Sequence, residues 1–227
     1  QRLRQEAEIP GTGPSAVTAQ AGQLKRVVDW TSSAYRDIQI KHQNWRWLRR
    51  AFTFNTVLDD DSYAYGDATD VDAAAVITRF SHWLAHDECD QYMAYLTSGG
   101  IGSQYRLIYM PWENFKWIYG IGTQNNGQPA HVSVDHKNNL RLGPKPNGVY
   151  TVTGDFQRSA QILAADDDIP EMPSDYHELI VYYGLEKYGG NSVALEVFAR
   201  AQLEAARLLG ALEMNQLPMM GTAGPML

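Results

Sequence analysis

The sequence predicts an α+β protein. A helical bundle or hairpin is built from the N- and C-terminal segments, a small antiparallel β-sandwich or barrel is inserted between them, and an extended tail closes the chain. Three observations carry this. Residues 15–50 place apolar side chains at steps of three, four and seven, the signature of one helical stripe. Residues 52–163 change to short, β-rich runs separated by turn residues. From residue 174 to about residue 214 the helical period returns, and a Pro/Met/Gly-rich run follows. The corresponding parts are 1–51, 52–163, 164–214 and 215–227.

Each element follows from local chemistry. Residues 1–9 suit a short helix, broken by Pro10, Gly11, Gly13 and Pro14. Ser15 is the expected N-cap of a long helix whose stripe runs through Val17, Ala21, Leu24, Val27, Val28, Ala34, Tyr35, Ile38, Trp45 and Leu48. At ~1.5 Å per residue such a helix would be a rod of roughly 50 Å, long for one globule. Residues 52–57 alternate and are β-rich, and Asp59, Asp60 and Asp61 break that strand. A second short strand is expected near residues 62–66. Residues 76–84 and 92–96 fit either strand or helix, and residues 105–109 read as one strand. Pro111 suits the start of a few helical turns to Tyr119. Strands are expected at 131–134, 139–142 and 149–153, with Asn147-Gly148 favouring a tight hairpin between the last two. Residues 169–173 are an extended linker. Ser174 or Asp175 then caps a helix, with Asp175 and Glu178 spaced for a capping box. Gly189-Gly190 should end it. Asn191 or Ser192 should cap the final helix, with its stripe through Val193, Val197, Ala201, Ala205, Leu208 and Leu212. Gly210 weakens its last turn.

Bulk properties narrow the function. The chain has 227 residues, 44% of them hydrophobic, and a net charge of −7. A sizeable core can be buried. The negative charge argues against a free-standing nucleic-acid binder, which displaces counterions with cations, but is compatible with DNA passing nearby. One cysteine, Cys89, excludes an internal disulfide and fits folding in a reducing cytosol. No apolar run approaches a membrane span, and the first residues lack a signal-peptide pattern.

Candidate chemistry is sparse. His82 and His86 stand four apart beside Asp87, Glu88 and Cys89, but Trp83 occupies the position where a zinc protease carries its glutamate. Asp59, Asp60 and Asp61, with Asp166, Asp167 and Asp168, lack the spaced ligands of a calcium loop; they read as solvated loops or channel lining. Trp45 and Trp47 with Arg46, Arg49 and Arg50 mix aromatics and cations, a mixture that suits packing or subunit contact more than nucleic acid. The run 99–103 is glycine-rich without the Lys-Ser/Thr ending of a phosphate loop. Neither a nucleophile elbow nor a serine or cysteine triad is present. No catalytic residue, cofactor or metal is therefore expected, and the chain reads as an assembly part.

A set of ordered motifs sharpens this. Val27-Val28-Asp29-Trp30 leads to Ala34, Tyr35, Ile38, Gln39, Trp45, Trp47, Leu48 and Arg49. Midway come Gln128-Pro129-Ala130-His131 and then the run from Leu140 through Gly143-Pro144-Lys145-Pro146-Asn147-Gly148 to Tyr150. Late come Ile169-Pro170-Glu171-Met172-Pro173 and Tyr176-His177-Glu178-Leu179-Ile180. Over roughly residues 12–212, outside 67–102, this order resembles the head-to-tail adaptors (connectors) of tailed bacteriophages. The resemblance implies a virion protein assembled in the host cytoplasm. It implies a homo-oligomeric ring, usually of twelve copies, between the portal protein and tail or nozzle proteins, with a channel for double-stranded DNA and no membrane contact.

Composition and resemblance together nominate the tail residues Leu217, Pro218, Met219, Met220, Pro225, Met226 and Leu227 for portal docking. An outward helix face with Arg36, Arg46, Arg49 and Arg50 is nominated for contact between subunits. Two rival readings stand beside this. One is a carbohydrate-binding or carbohydrate-cleaving module, motivated by the aromatic-rich β block. The other is a different ring-forming tail part, such as a tail terminator.

Overall fold

In a computed structural model, the described residues are 1–85, 92–192 and 194–217. The chain divides into two compact units. Unit 1 combines residues 1–48 with 160–227; unit 2 is residues 49–159. These cuts differ by three to four residues from the expected 51/52 and 163/164.

Unit 1 is helical. Helix α1 (Arg2–Glu6) is short, α2 spans Gly22–Ile40, α4 spans Glu178–Ser192 and α5 spans Leu195–Gln216. One core joins Tyr35, Ile38, Trp45, Leu179, Leu209 and Leu212, and a second joins Leu3, Val27, Leu185 and Ala201. Thus the N-terminal helix packs against helices that follow unit 2 in the sequence. The described part is an α+β protein of the expected class.

The expected 15–50 helix is corrected. Helix α2 has 19 residues, with Ala21 rather than Ser15 at its N-cap and no side-chain cap. At ~1.5 Å per residue it is about 28 Å long. Its end has a visible cause. The last carbonyls of a helix lack intrahelical donors, and the Trp45 indole N–H supplies one to the Ile38 carbonyl at 3.1 Å. Trp45 then stacks on Trp47 at 4.3 Å. Apolar residues that extend the stripe on paper are instead folded back across the helix end.

Three caps are also corrected. A 3-10 turn, Ser174–Tyr176, precedes α4, with Pro173 at its N-cap and no side-chain cap. Helix α4 continues through Gly189 and Gly190 to Ser192. A Cβ on Gly189 would lie 2.8 Å from Phe198 Cβ, so this glycine serves close approach of α4 and α5 rather than termination. Ala194, not Asn191 or Ser192, is the N-cap of α5.

Unit 2 is a two-sheet structure. Its strands are β1 (Arg49–Asn55), β2 (Ser62–Tyr63), β3 (Thr69–Asp70), β4 (Ala75–Val76), β5 (His82–Trp83), β6 (Met93–Leu96), β7 (Tyr105–Arg106), β8 (Ile108–Tyr109), β9 (His131–Val134), β10 (Leu140–Gly143) and β11 (Tyr150–Gln157). The larger sheet runs β4-β3-β1-β11-β6-β7, with β5 also on β11; the smaller runs β2-β10-β9-β8. Helix α3 (Trp112–Tyr119) follows β8, with Pro111 at its N-cap. Pairing is antiparallel except for β8 with β9. Phe52, Trp83 and Val152 of the larger sheet share a core with Val132, Leu140 and Leu142 of the smaller.

Two strand expectations change. The 105–109 strand is two strands in different sheets. Leu107 is buried between them; its N–H donates to Tyr92 O, whereas the N–H of Ile108 donates to Ala130 O. Asn147-Gly148 does not close a β10–β11 hairpin, because those strands also belong to different sheets. The hairpin lies one step earlier, between β9 and β10. There Asp135 Oδ1 accepts the N–H groups of Lys137 and Asn139 at 2.8 and 2.9 Å, and Asn138 takes φ +60°, a conformation asparagine tolerates.

Candidate docking surfaces

The C-terminal end of α5 is tied down. Leu217 N–H donates to Glu213 O at 3.0 Å. Glu213 Oε1 meets His42 Nε2 at 2.7 Å, and the His42 ring stands edge-on to Trp45 at 5.0 Å. Leu217 packs against the core containing Tyr35 and Leu179. Of the nominated tail, Leu217 is therefore placed at an anchored helix end. Pro218, Met219, Met220, Pro225, Met226 and Leu227 lie outside the described residues.

The arginine face is not one helix face. Arg36 is exposed on α2, and Arg46 is exposed in a 3-10 turn of unit 1 (Arg46–Leu48). Arg49 and Arg50 begin β1 in unit 2, where successive side chains point to opposite sides. Arg49 lies 3.9 Å from Asp155 and Arg50 lies 3.4 Å from Asp72. Burial raises the Asp155 carboxyl above its ordinary range, and Arg49 partly offsets this. The helical expectation failed because β1 starts before the apolar alternation at Phe52 becomes visible.

Each acidic triplet has local partners. Asp59, at φ +65°, is 3.6 Å from Lys145. Asp60 Oδ1 accepts Ser62 N–H at 3.0 Å. Asp61 bonds Arg141 at 2.9 Å, and the Arg141 guanidinium lies 5.7 Å from the Trp112 ring. Nearby, the Tyr63 hydroxyl donates to Asp60 O, and burial pushes this phenol up to about 12. In the second triplet, Asp166 Oδ1 accepts Val17 N–H. Asp168 Oδ2 accepts the N–H groups of Ala165 and Ala164 at 2.7 and 2.6 Å, and these bonds hold its pKa below the ordinary value.

His82 lies on β5, and its Nδ1 meets Ser81 Oγ at 3.1 Å; His86, Asp87, Glu88 and Cys89 lie outside the described residues. Among the described residues no group of three or more His, Cys, Asp or Glu side chains converges as a metal site. The glycine-rich run forms two 3-10 turns, closed by Ser103 Oγ donating to Gly100 O at 2.8 Å. No helix among the described residues is long and apolar enough to cross a membrane.

Two exposed apolar features escaped the sequence reading. On α3, Trp117 is 75% exposed beside Ile118 and Ile121, and it borders a shallow pocket of about 290 Å³ with Glu113, Lys116 and Gly120. On α5, Leu195 and Leu203 are each 72% exposed and Met214 is 88% exposed. Their signal was available as apolar residues off the main stripe of α5.

The sequence profile of a known family, described as SU10 adaptor protein, matches residues 2–225. No curated protein matches the chain.

Proposed function

Because this chain belongs to the SU10 adaptor protein family, a family of phage head-to-tail adaptors, we propose that it acts as one subunit of a ring, usually twelve copies, between portal and tail. The family places it among structural phage virion proteins. The finer reading concerns how it joins its partners. The match across nearly the whole chain carries this proposal.

The tail from Leu217 to Leu227 docks on the portal. It contains no charged residue, follows a helix end fixed through Glu213 and His42, and its methionines can adapt to a groove. Tail or nozzle proteins take the opposite side of the ring.

DNA passes without being gripped. A net charge of −7 repels phosphates instead of releasing their counterions. The triplet Asp166, Asp167 and Asp168 is proposed for the channel wall. Asp59, Asp60 and Asp61 are proposed for a solvated loop, since Asp59 and Asp61 already face Lys145 and Arg141.

Mixing the purified protein with its portal, followed by light scattering and negative-stain microscopy, tests the reading. Rings alone or on the portal are expected. Deletion of residues 217–227 should abolish attachment, and unchanged attachment would overturn the docking role of the tail. A wild-type protein that stays monomeric and ignores the portal would overturn the adaptor reading for this chain.

A further inference from the structure

Two Asn-Gly pairs, Asn126-Gly127 and Asn147-Gly148, meet in the loops of unit 2. The Asn147 N–H donates to Gly127 O at 3.0 Å, and the Gly127 N–H donates to Lys145 O at 2.8 Å. Both asparagines are exposed. An Asn-Gly pair can react with itself. The glycine nitrogen attacks the asparagine side-chain carbon, and a glycine without Cβ turns easily into the attacking position. The reacting residues are the same at both pairs, so their surroundings decide which one reacts.

Those surroundings differ at the nitrogen and at the carbonyl. The Gly127 amide must first leave Lys145 O. Among the described residues no acceptor takes the Gly148 N–H. A Cβ on Gly148 would meet only Leu96 and Tyr150, both at 3.9 Å, whereas one on Gly127 would lie 2.9 Å from Pro144. The chain at Gly148 therefore has room to turn. The Asn147 amide is also polarised. The Tyr150 hydroxyl donates to Asn147 Oδ1 at 2.7 Å. Negative charge develops on that oxygen as the nitrogen adds, and a donor already aimed at it lowers the barrier.

We propose that Asn147 is a site of spontaneous deamidation, with Gly148 as the nucleophile and Tyr150 as the donor to the developing oxyanion. The Gly148 nitrogen bonds to Asn147 Cγ and gives its proton to hydroxide or water. The bond from Cγ to Nδ2 breaks, Nδ2 takes up a proton, and ammonia leaves a cyclic succinimide. Water then adds to either ring carbonyl. Opening on one side gives aspartate. Opening on the other gives isoaspartate, in which the main chain runs through the former side-chain carbon.

Either product adds a negative charge, and isoaspartate also lengthens the main chain between β10 and β11. The groups there are closely paired. Thr56 Oγ1 donates to Gly148 O at 3.0 Å and accepts the Tyr150 N–H at 2.9 Å. An extra main-chain carbon pushes these partners out of register where the chain passes from the smaller sheet to the larger. The modification is thus a slow, one-way loosening of that crossing, whichever partners the chain binds.

The experiment holds the full chain, wild type and Tyr150→Phe, in warm, mildly alkaline buffer, either folded or in concentrated urea. Peptide mapping by mass spectrometry reads conversion at positions 126 and 147 and separates aspartate from isoaspartate. In the folded wild type, Asn147 should convert about tenfold faster than Asn126, the factor set by a local opening of about 1.4 kcal/mol. In urea the two rates should converge. Tyr150→Phe should slow position 147 severalfold in the folded chain and leave both rates in urea unchanged. Equal conversion at the two positions of the folded wild type, or faster conversion at Asn126, would overturn the assignment, whatever the stability of the variant. Aspartate without isoaspartate at position 147 would mark direct hydrolysis and overturn the cyclic route. An unchanged rate in folded Tyr150→Phe would remove Tyr150 from the reaction.

Discussion

Tyr35 and Gln161 are 126 positions apart and share a hydrogen bond of 2.8 Å, from the phenol to the side-chain carbonyl. The Tyr35 oxygen also accepts Glu171 N–H at 2.9 Å. One turn further along α2, Gln39 holds the backbone of the same residue. Its Oε1 accepts Gln161 N–H at 2.7 Å and its Nε2 donates to Gln161 O at 3.0 Å. A glutamine side chain thus acts as a strand partner for the chain where it re-enters unit 1.

Gln39 is only 3% exposed, so its loss strands backbone groups away from water. Gln39→Leu should destabilise unit 1 by about 1–3 kcal/mol, the range for an orphaned buried donor or acceptor. Urea unfolding followed by tryptophan fluorescence reports it through Trp45. A midpoint equal to wild type would show that the Gln161 backbone finds water instead.

Gly189 lies at a close approach of α4 and α5. Gly189→Ala would put a methyl 2.8 Å from Phe198 Cβ. The expected cost is about 1–3 kcal/mol, the penalty for overpacking. Helix propensity alone favours alanine by up to ~1 kcal/mol, so the sign of the change decides between the effects. A stabilised variant would mean that the helices separate freely.

Asp61 and Arg141 form a partly buried ion pair in unit 2, with side chains 20% and 26% exposed. Asp61→Asn should cost about 1–2 kcal/mol by weakening a charge-assisted bond. The wild-type advantage should shrink only slightly in 1 M salt, because partly buried pairs are weakly screened. Thermal melts at low and high salt measure both.

Asp168 supplies a pH signature. Backbone N–H groups of Ala165 and Ala164 lower its folded pKa from 3.8. The stabilisation is therefore complete above the unfolded value and is lost as pH falls through the folded one. The stability difference between wild type and Asp168→Asn should stay level down to about pH 4 and then decline. Carboxyl NMR titration should place Asp168 below an ordinary aspartate, and a value at or above 3.8 would contradict the bonding.

Periodicity made the larger divisions legible. The change from helical spacing to alternation near Phe52, and its return at Leu179, reflects burial on one stripe or one side. What stayed hidden depends on partners distant in sequence. Trp45 looks like the next stripe position of α2 until its indole finds Ile38 O. Gly189 looks like a terminator until Phe198 is brought beside it. Tyr105 and Tyr109 look like one strand until Tyr92 and Ala130 draw them into different sheets. For the docking surfaces, composition singled out the tail, and the exposed row through Leu203 was legible only as apolar residues off the main stripe of α5.

The interruption of unit 1 by residues 49–159 has a consequence during synthesis. Every described strand of unit 2 has left the ribosome once Gln157 emerges, so the inserted unit can fold before α4 and α5 have emerged. Helix α2 must wait: Tyr35 and Ile38 have no Leu179, Leu209 or Leu212 to cover them until those residues have emerged. At roughly 5–20 residues per second, that leaves several seconds in which an apolar helix is available to chaperones or to other nascent chains. Early arrest of translation would yield a folded insert carrying a sticky leader.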